Sequence, residues 1–349
     1  VGSEMCIRDR WYSEPFWSHW KKERVIQNQT RIHEPHASRR SVNKTHLLVT
    51  NDDGIEADGL IALVTRLHKE GHPIVVLAPQ EEQSATGMKL TLSSGMKFTE
   101  RTDIADSIAD DNGPPLRMFS LDGSPCDCVI VALEGGLKSW APEIDPMLCI
   151  SGINHGPNLS VDVLHSGTVS AAREASLYGM PAIATSLATY SHRRFDDSLS
   201  VIVDLIDRCS GSLPDSLPNL LRPNGTANFP NGEEIGDVIL SAFHHGDLFL
   251  NVNTPEQWNG KVSTVSLGAR WYRSASDMDE APSNGIEFEV GAATIVEEDI
   301  PRTDCNAINN NYTSITPLGS WPSNHPLGLD NETLKQSTLE SSDGFPYWI

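Results

Sequence analysis

The chain has 349 residues, room for one large domain or two ordinary ones, and sets 26 Lys/Arg against 47 Asp/Glu for a net charge of −21 at pH 7. So acidic a chain lacks the basic footprint that a nucleic-acid polymer demands, although one metal ion and a few amides suffice to hold a single nucleotide. No apolar run approaches the ~20 residues that cross a bilayer, and six cysteines without framework spacing read as reduced thiols, so a soluble cytoplasmic protein is expected.

Residues 1–45 hold nine Lys/Arg and five Asp/Glu, a net of +4 that leaves −25 for the remainder. Val1 to Arg10 (VGSEMCIRDR) resembles translated adapter sequence. Those ten residues do not belong to the fold, and residues 1–45 as a whole are expected to be an amino-terminal extension, disordered or partly artefactual, the part after Arg10 being a disordered arm or a genuine extension.

The first strand is Leu47-Leu48-Val49-Thr50, an evenly apolar run of the kind buried on both faces of a parallel sheet. It runs straight into Asn51-Asp52-Asp53-Gly54. Leu60, Ile61, Leu63, Val64 and Leu67 then recur at helical spacing, with Gly71 as a stop, and residues 73–79 form a second buried strand. Strand, helix and strand make a right-handed βαβ unit. Ser84 lies in the loop that leaves the second strand. Between 93 and 116 the pattern lapses into a polar surface excursion.

Strand character resumes at 117–121, a helix is expected over 128–133, and 147–150 form another buried strand that ends in Ser-Gly-Ile-Asn-His-Gly-Pro-Asn at 151–158. Ser166-Gly167-Thr168 opens a helix that runs through Tyr178, followed by a strand at 181–187 and a helix at 196–209. Residues 210–245 are rich in Pro, Asn and Gly and read as an insertion or linker. Strands at 248–252, 262–267 and 312–318 suggest a smaller β-rich portion over 246–318, and 319–349 form a tail without a structural assignment. The expected fold is α/β, a three-layer Rossmann-like and mostly parallel sheet over residues 46–318, with its ligand crevice at the carboxyl ends of the strands.

Four segments should meet at that edge. Asp52 and Asp53 are adjacent carboxylates that repel each other unless a cation neutralises both. With neutral oxygens from Ser84 and Asn154 they make a hard-metal shell suited to Mg²⁺ or Mn²⁺. A helix opening on Ser166, Gly167 and Thr168 offers amides, a positive dipole end and hydroxyls to a phosphate, with Asn158 close by. Metal beside a phosphate cradle implies phosphoryl chemistry. Each piece has a plainer reading: Asn-Asp-Asp-Gly as a surface turn, Ser84 as a loop hydroxyl, Asn154 and Asn158 as turn residues, Ser166 as an N-cap.

The segments 50–54 (TNDDG), 78–84 (APQEEQS), 151–158 (SGINHGPN), 166–169 (SGTV), 251–255 (NVNTP) and 314–318 (SITPL) together resemble the survival protein SurE family of nucleotidases, in the family's order. That resemblance implies Asp52, Asp53, Ser84 and Asn154 as ligands of one divalent metal ion, the acid pair as catalytic, and Asn158, Ser166, Gly167 and Thr168 as the phosphate site. It also implies hydrolysis of nucleoside 5′- and 3′-monophosphates, with short polyphosphate as a further substrate, and a homodimer or homotetramer that exchanges carboxyl-terminal elements used in oligomerisation. In-line attack by metal-activated water is favoured over an aspartyl-phosphate, because both carboxylates are committed to the cation. The tail, the 103–113 excursion, the 210–245 insertion and the chain after 318 depart from the family's pattern.

A two-component receiver needs a phospho-accepting Asp where this chain has Asn154. A haloacid-dehalogenase-type phosphatase uses Asp-x-Asp rather than adjacent acids, and a dinucleotide oxidoreductase wants G-x-G-x-x-G after the first strand. The alternative from another class is a non-catalytic metal-dependent nucleotide-binding protein of the same fold.

Overall fold

The chain divides into two units, Val1–Val42 and Asn43–Ile349. The computed structural model describes residues 44–213, 216, 217, 220, 232, 234–276, 291 and 293–349. The amino-terminal extension up to residue 43 lies outside them.

The strands are β1 (Leu47–Thr50), β2 (Ile74–Pro79), β3 (Phe98–Glu100), β4 (Leu116–Leu121), β5 (Leu148–His155), β6 (Ala182–Ala188), β7 (Leu248–Pro255), β8 (Val262–Thr264), β9 (Ala269–Arg273), β10 (Thr294–Glu298) and β11 (Thr313–Gly319). The helices are α1 (Asp58–Lys69), α2 (Thr102–Ile108), α3 (Pro125–Val131), α4 (Leu137–Trp140), α5 (Asp162–His165), α6 (Gly167–Leu177), α7 (Asp196–Ser212), α8 (Ile235–His244), α9 (Asp304–Asn309) and α10 (Asn331–Ser337), with a π-helical stretch at Ala132–Gly136.

Nine strands form one sheet in the order β3-β4-β2-β1-β5-β6-β7-β11-β8. Neighbours from β4 to β7 run parallel, as do β11 and β8. β3 pairs antiparallel with β4, and β11 with β7. From β1 the chain moves outward through β2 to β4, then returns to lay β5 on the other side of β1. The switch point of the sheet therefore lies between β1 and β5, where open α/β sheets bind ligands.

Alternation along each strand fills two separate cores. Leu47 and Val49 pack with Leu60, Leu63 and Leu67 of α1, Ile202 and Leu205 of α7, and Phe243 of α8. Leu48 faces the other way, with Val129 of α3 and Val169, Ala172 and Ala175 of α6. A sheet covered on both faces explains why its strands read as unbroken apolar runs.

In four places the structure adds what the sequence reading did not specify. The 93–116 excursion contains β3 and α2. The end of the 210–245 stretch is α8, whose Ile239, Ala242 and Phe243 are buried. β7, β8 and β11 extend the main sheet, and among the described residues only β9 and β10 form a separate antiparallel pair. The tail after 318 folds back on the core: Phe345 and Trp348 are buried, the Trp348 indole donates to Ser337 O at 3.0 Å, and Arg208 of α7 sits 3.9 Å over the Phe345 ring.

Candidate active site

β1 ends at the switch point and hands the chain to Asn51, whose side-chain amide donates to Gly54 O at 2.8 Å and closes a tight turn. That turn directs Asp52 back under α6 and Asp53 toward β5. Asp52 is 3% exposed. The Thr168 hydroxyl donates to its Oδ1 in a very short hydrogen bond, and the Thr168 amide also bonds it. Gly167 allows this approach, since a Cβ there would fall 2.7 Å from the Asp52 Cβ. Asp53 accepts from the His155 amide at 3.2 Å.

Among the described residues, neither carboxylate has a cationic partner in hydrogen-bond contact. Burial, and then the Asp53 charge, push Asp52 up to about 6 despite the bonds from Thr168. Burial likewise raises Asp53, with Glu82 adding to it and the His155 amide opposing it. Two acids held this way are under-compensated, and a cation between them would relieve both.

β5 delivers the third piece. Gly152 has φ +136, and a Cβ there would fall 2.3 Å from Thr185 O on β6, so only glycine fits this irregular point of the strand. Beyond it Asn154 uses its amide nitrogen to donate to Gly156 O at 2.8 Å. Its amide oxygen is thereby left as a neutral acceptor. Ser84 is exposed in the loop after β2 and donates to Glu82 Oε1 at 2.7 Å, which leaves its lone pairs for a ligand.

Asp52, Asp53, Ser84, Asn154, Asn158 and Ser166 all line one cleft of about 730 Å³. Gly167 and Thr168 do not: the first packs on Asp52 and the second spends hydroxyl and amide on it. Ser166 caps α6 by accepting from Val169 N at 3.0 Å, and its hydroxyl can still donate into the cleft. Asn158 is fixed from several sides. Its amide nitrogen donates to Ser186 Oγ at 2.9 Å and its backbone N donates to Asn253 Oδ1 at 2.8 Å. Asn251 and Asn253 donate to its carbonyl at 2.8 and 3.1 Å.

The acid pair and the two neutral oxygens fit a hard divalent cation, being an all-oxygen set with more negative charge than it can neutralise. No group of three or more His, Cys, Asp or Glu able to hold a metal occurs among the described residues.

The cleft also contains residues that the sequence did not single out: Arg193, Tyr190, Tyr272 and Asp162. Arg193 ion-pairs with Asp58 at 3.0 Å, both groups being exposed. Its place just past the carboxyl end of β6 was a signal that could have found it. Asp162 is tied to Arg270 at 3.1 Å and accepts from the Tyr272 hydroxyl at 2.6 Å. Arg270 also holds Glu297 on β10.

Comparison with known proteins follows the same lines. A family model described as Survival protein SurE matches residues 47–277. The chain is 34% identical over 282 residues to the 5′-nucleotidase SurE of Synechococcus elongatus, covering 78% of this chain and 92% of that protein. Against the 5′-nucleotidase SurE of Pelotomaculum thermopropionicum it is 35% identical over 274 residues, covering 78% and 88%. Among solved structures, the SurE protein from Aquifex aeolicus aligns with a TM-score of 0.56 at 26% identity, over 80% of this chain and 95% of that one.

Proposed function

The chain belongs to the SurE family, and from that premise we propose that it is a metal-dependent phosphomonoesterase that hydrolyses nucleoside 5′- and 3′-monophosphates to nucleoside and phosphate. One observation carries the reading. A buried Asp52 and a half-buried Asp53, together under-compensated, share a cleft with two neutral oxygen donors and with Ser166 at a helix start. The relatives named 5′-nucleotidase support the substrate class.

Asp52, Asp53, Ser84 and Asn154 would hold one Mg²⁺ or Mn²⁺. When bound, such a cation supplies positive charge against phosphate oxygens and makes water at the site more acidic. The chain's own groups do the rest. The Ser166 hydroxyl and Arg193 guanidinium donate to the phosphate oxygens and stabilise the charge that spreads over them during transfer. Thr168 keeps Asp52 oriented, and Asn251 and Asn253 keep Asn158 at the cleft wall.

The finer points of the reading have their own supports. A homodimer or homotetramer is favoured by the apolar side chains that β9 and β10 leave outward, with Trp271 at 39%, Ile295 at 49% and Val296 at 42% exposure. Short polyphosphate is a further substrate, since the phosphate end asks for no base. A cytoplasmic location agrees with Cys126, Cys128, Cys149, Cys209 and Cys305 being free buried thiols. No helix among the described residues is long and apolar enough to cross a membrane.

Phosphate release from AMP tests the reading. Turnover is expected with added Mn²⁺ or Mg²⁺ and none after chelation. Equal turnover in a chelator, or none with either metal, would refute it.

A further inference from the structure

The cleft's volume of about 730 Å³ lies in the range of sites that enclose a whole small molecule, well beyond what a phosphate needs. Tyr190, two residues past β6, lines the same cleft with 71% of its surface exposed. Aromatic rings contribute most when buried, so a ring left out in a cleft is a surface without its counterpart.

Tyr190 is also held in place. On its two sides, Thr189 and Ser191 donate to the Glu256 carboxylate at 3.3 and 2.6 Å, and the Ser191 amide donates to Thr189 Oγ1 at 3.1 Å. The ring rests on Gly156, where an added Cβ would fall 2.5 Å from it. It meets the His155 ring edge-on, with centroids 5.9 Å apart and planes at 76°. His155 and Gly156 belong to the segment that carries Asn154, so the platform is tied directly to the metal end of the cleft. Tyr272, the other exposed aromatic there, has its hydroxyl committed to Asp162 at 2.6 Å.

We propose that Tyr190 is the platform on which the nucleobase of the substrate stacks. This rests on the nucleotidase reading and names what recognises the part of the substrate remote from phosphorus. Stacking needs a π-face and no hydrogen-bond code, so the platform accepts purines and pyrimidines alike and gains most from the larger purine face. A ring fixed before binding loses little freedom when the base arrives.

The test compares wild type, Tyr190→Phe and Tyr190→Ala with Mn²⁺ present. It reads kcat and KM for AMP, and the inhibition constant of ribose 5-phosphate, which is the same substrate without its base. Tyr190→Ala should raise KM for AMP about tenfold at unchanged kcat, the size of effect that losing one base–aromatic stack brings. Ribose 5-phosphate should inhibit it as it inhibits wild type, and Tyr190→Phe should match wild type throughout. Unchanged KM for AMP in Tyr190→Ala, or equal weakening of AMP and ribose 5-phosphate, overturns the platform and leaves the nucleotidase reading standing. A wild-type protein that releases no phosphate from AMP overturns that reading and the platform together.

Discussion

Two acidic clusters each put a carboxylate into the same cleft, and they are built on opposite electrostatic plans. At the rim, Asp162 and Glu297 flank the buried Arg270, whose guanidinium bonds both, and the Tyr272 hydroxyl takes the remaining Asp162 oxygen. At the floor, Asp52 and Asp53 have hydrogen bonds from Thr168 and the His155 amide but no paired cation among the described residues, and burial raises both. The rim is a closed brace, both of its acids bonded to one guanidinium, that ties β9 and β10 to α5. At the floor, burial outweighs what Thr168, His155 and Arg193 offer the two acids. Compensated acids hold structure together here, and the under-compensated pair is what the proposed cation would answer.

The sharpest way to break that comparison is to remove charge from the floor. Asp53→Asn should lower AMP turnover about a thousandfold or more, equivalent to about 4 kcal/mol of transition-state stabilisation. The metal-free fold should persist, because relief of repulsion opposes any loss of hydrogen bonding. Steady-state rates with saturating Mn²⁺, alongside melting curves in chelator, check both halves.

Removing charge from the rim should do the reverse. Arg270→Ala leaves Asp162 and Glu297 facing each other unpaired, and breaking a buried ion pair in this way costs about 3–5 kcal/mol. Denaturant unfolding reads the loss directly. A change under about 1 kcal/mol, the usual worth of an exposed pair, would mean that the brace is ornamental.

Glu174 on α6 offers a third case, an acid buried outside the cleft. Burial, followed by the Asp127 charge, pushes it up to about 7. A carboxyl whose folded value lies above its unfolded one stabilises at low pH and loses that contribution as pH rises through the folded value. Glu174→Gln should therefore raise stability at pH 8 by roughly 2 kcal/mol, because each tenfold change in proton affinity is worth about 1.4 kcal/mol and partial solvation trims the total. At pH 5 the same substitution should change little. Identical effects at both pH values would contradict the assignment.

The smallest expected effect belongs to Thr168→Val. It deletes one hydroxyl from Asp52, raises that carboxyl further and weakens metal-supported turnover about tenfold, the worth of one hydrogen bond to a charged group. The loss should be larger at pH 6 than at pH 8, because more of the acid is then protonated. A pH-independent loss would place Thr168 on the phosphate instead.

Much of this was legible in the sequence, and the reasons for success and failure are physical. Leu47 to Thr50 announced a doubly covered strand, and its run into Asp52 and Asp53 located both the sheet edge and the acid pair. Ser84, Asn154, Asn158 and Ser166 were legible because turn residues at strand ends must cluster at one edge of a parallel sheet. Thr168 was expected against the phosphate, but sequence spacing cannot say which way a first-turn hydroxyl points, and the structure turns it onto Asp52. α8 was hidden because Pro, Asn and Gly crowd the stretch before Ile235 and mask its short apolar period. Asn251 and Asn253 stood in a quoted segment, 251–255, but that they act on Asn158 from another strand of the sheet is a contact that local pattern does not show. Tyr190 and Tyr272 were invisible for a like reason: a lone aromatic in a polar segment has no period.

The central claim is that Asp52 and Asp53 carry charge reserved for a divalent cation. Calorimetric titration of Mn²⁺ into the metal-free protein, in buffers of different ionisation enthalpy, measures both the binding and the protons it displaces. With Asp52 at about 6, one Mn²⁺ per chain should release roughly half a proton or more at pH 6 and almost none at pH 8, since ligands must be deprotonated to bind. Absence of Mn²⁺ binding, or binding that releases no more protons at pH 6 than at pH 8, would contradict the account.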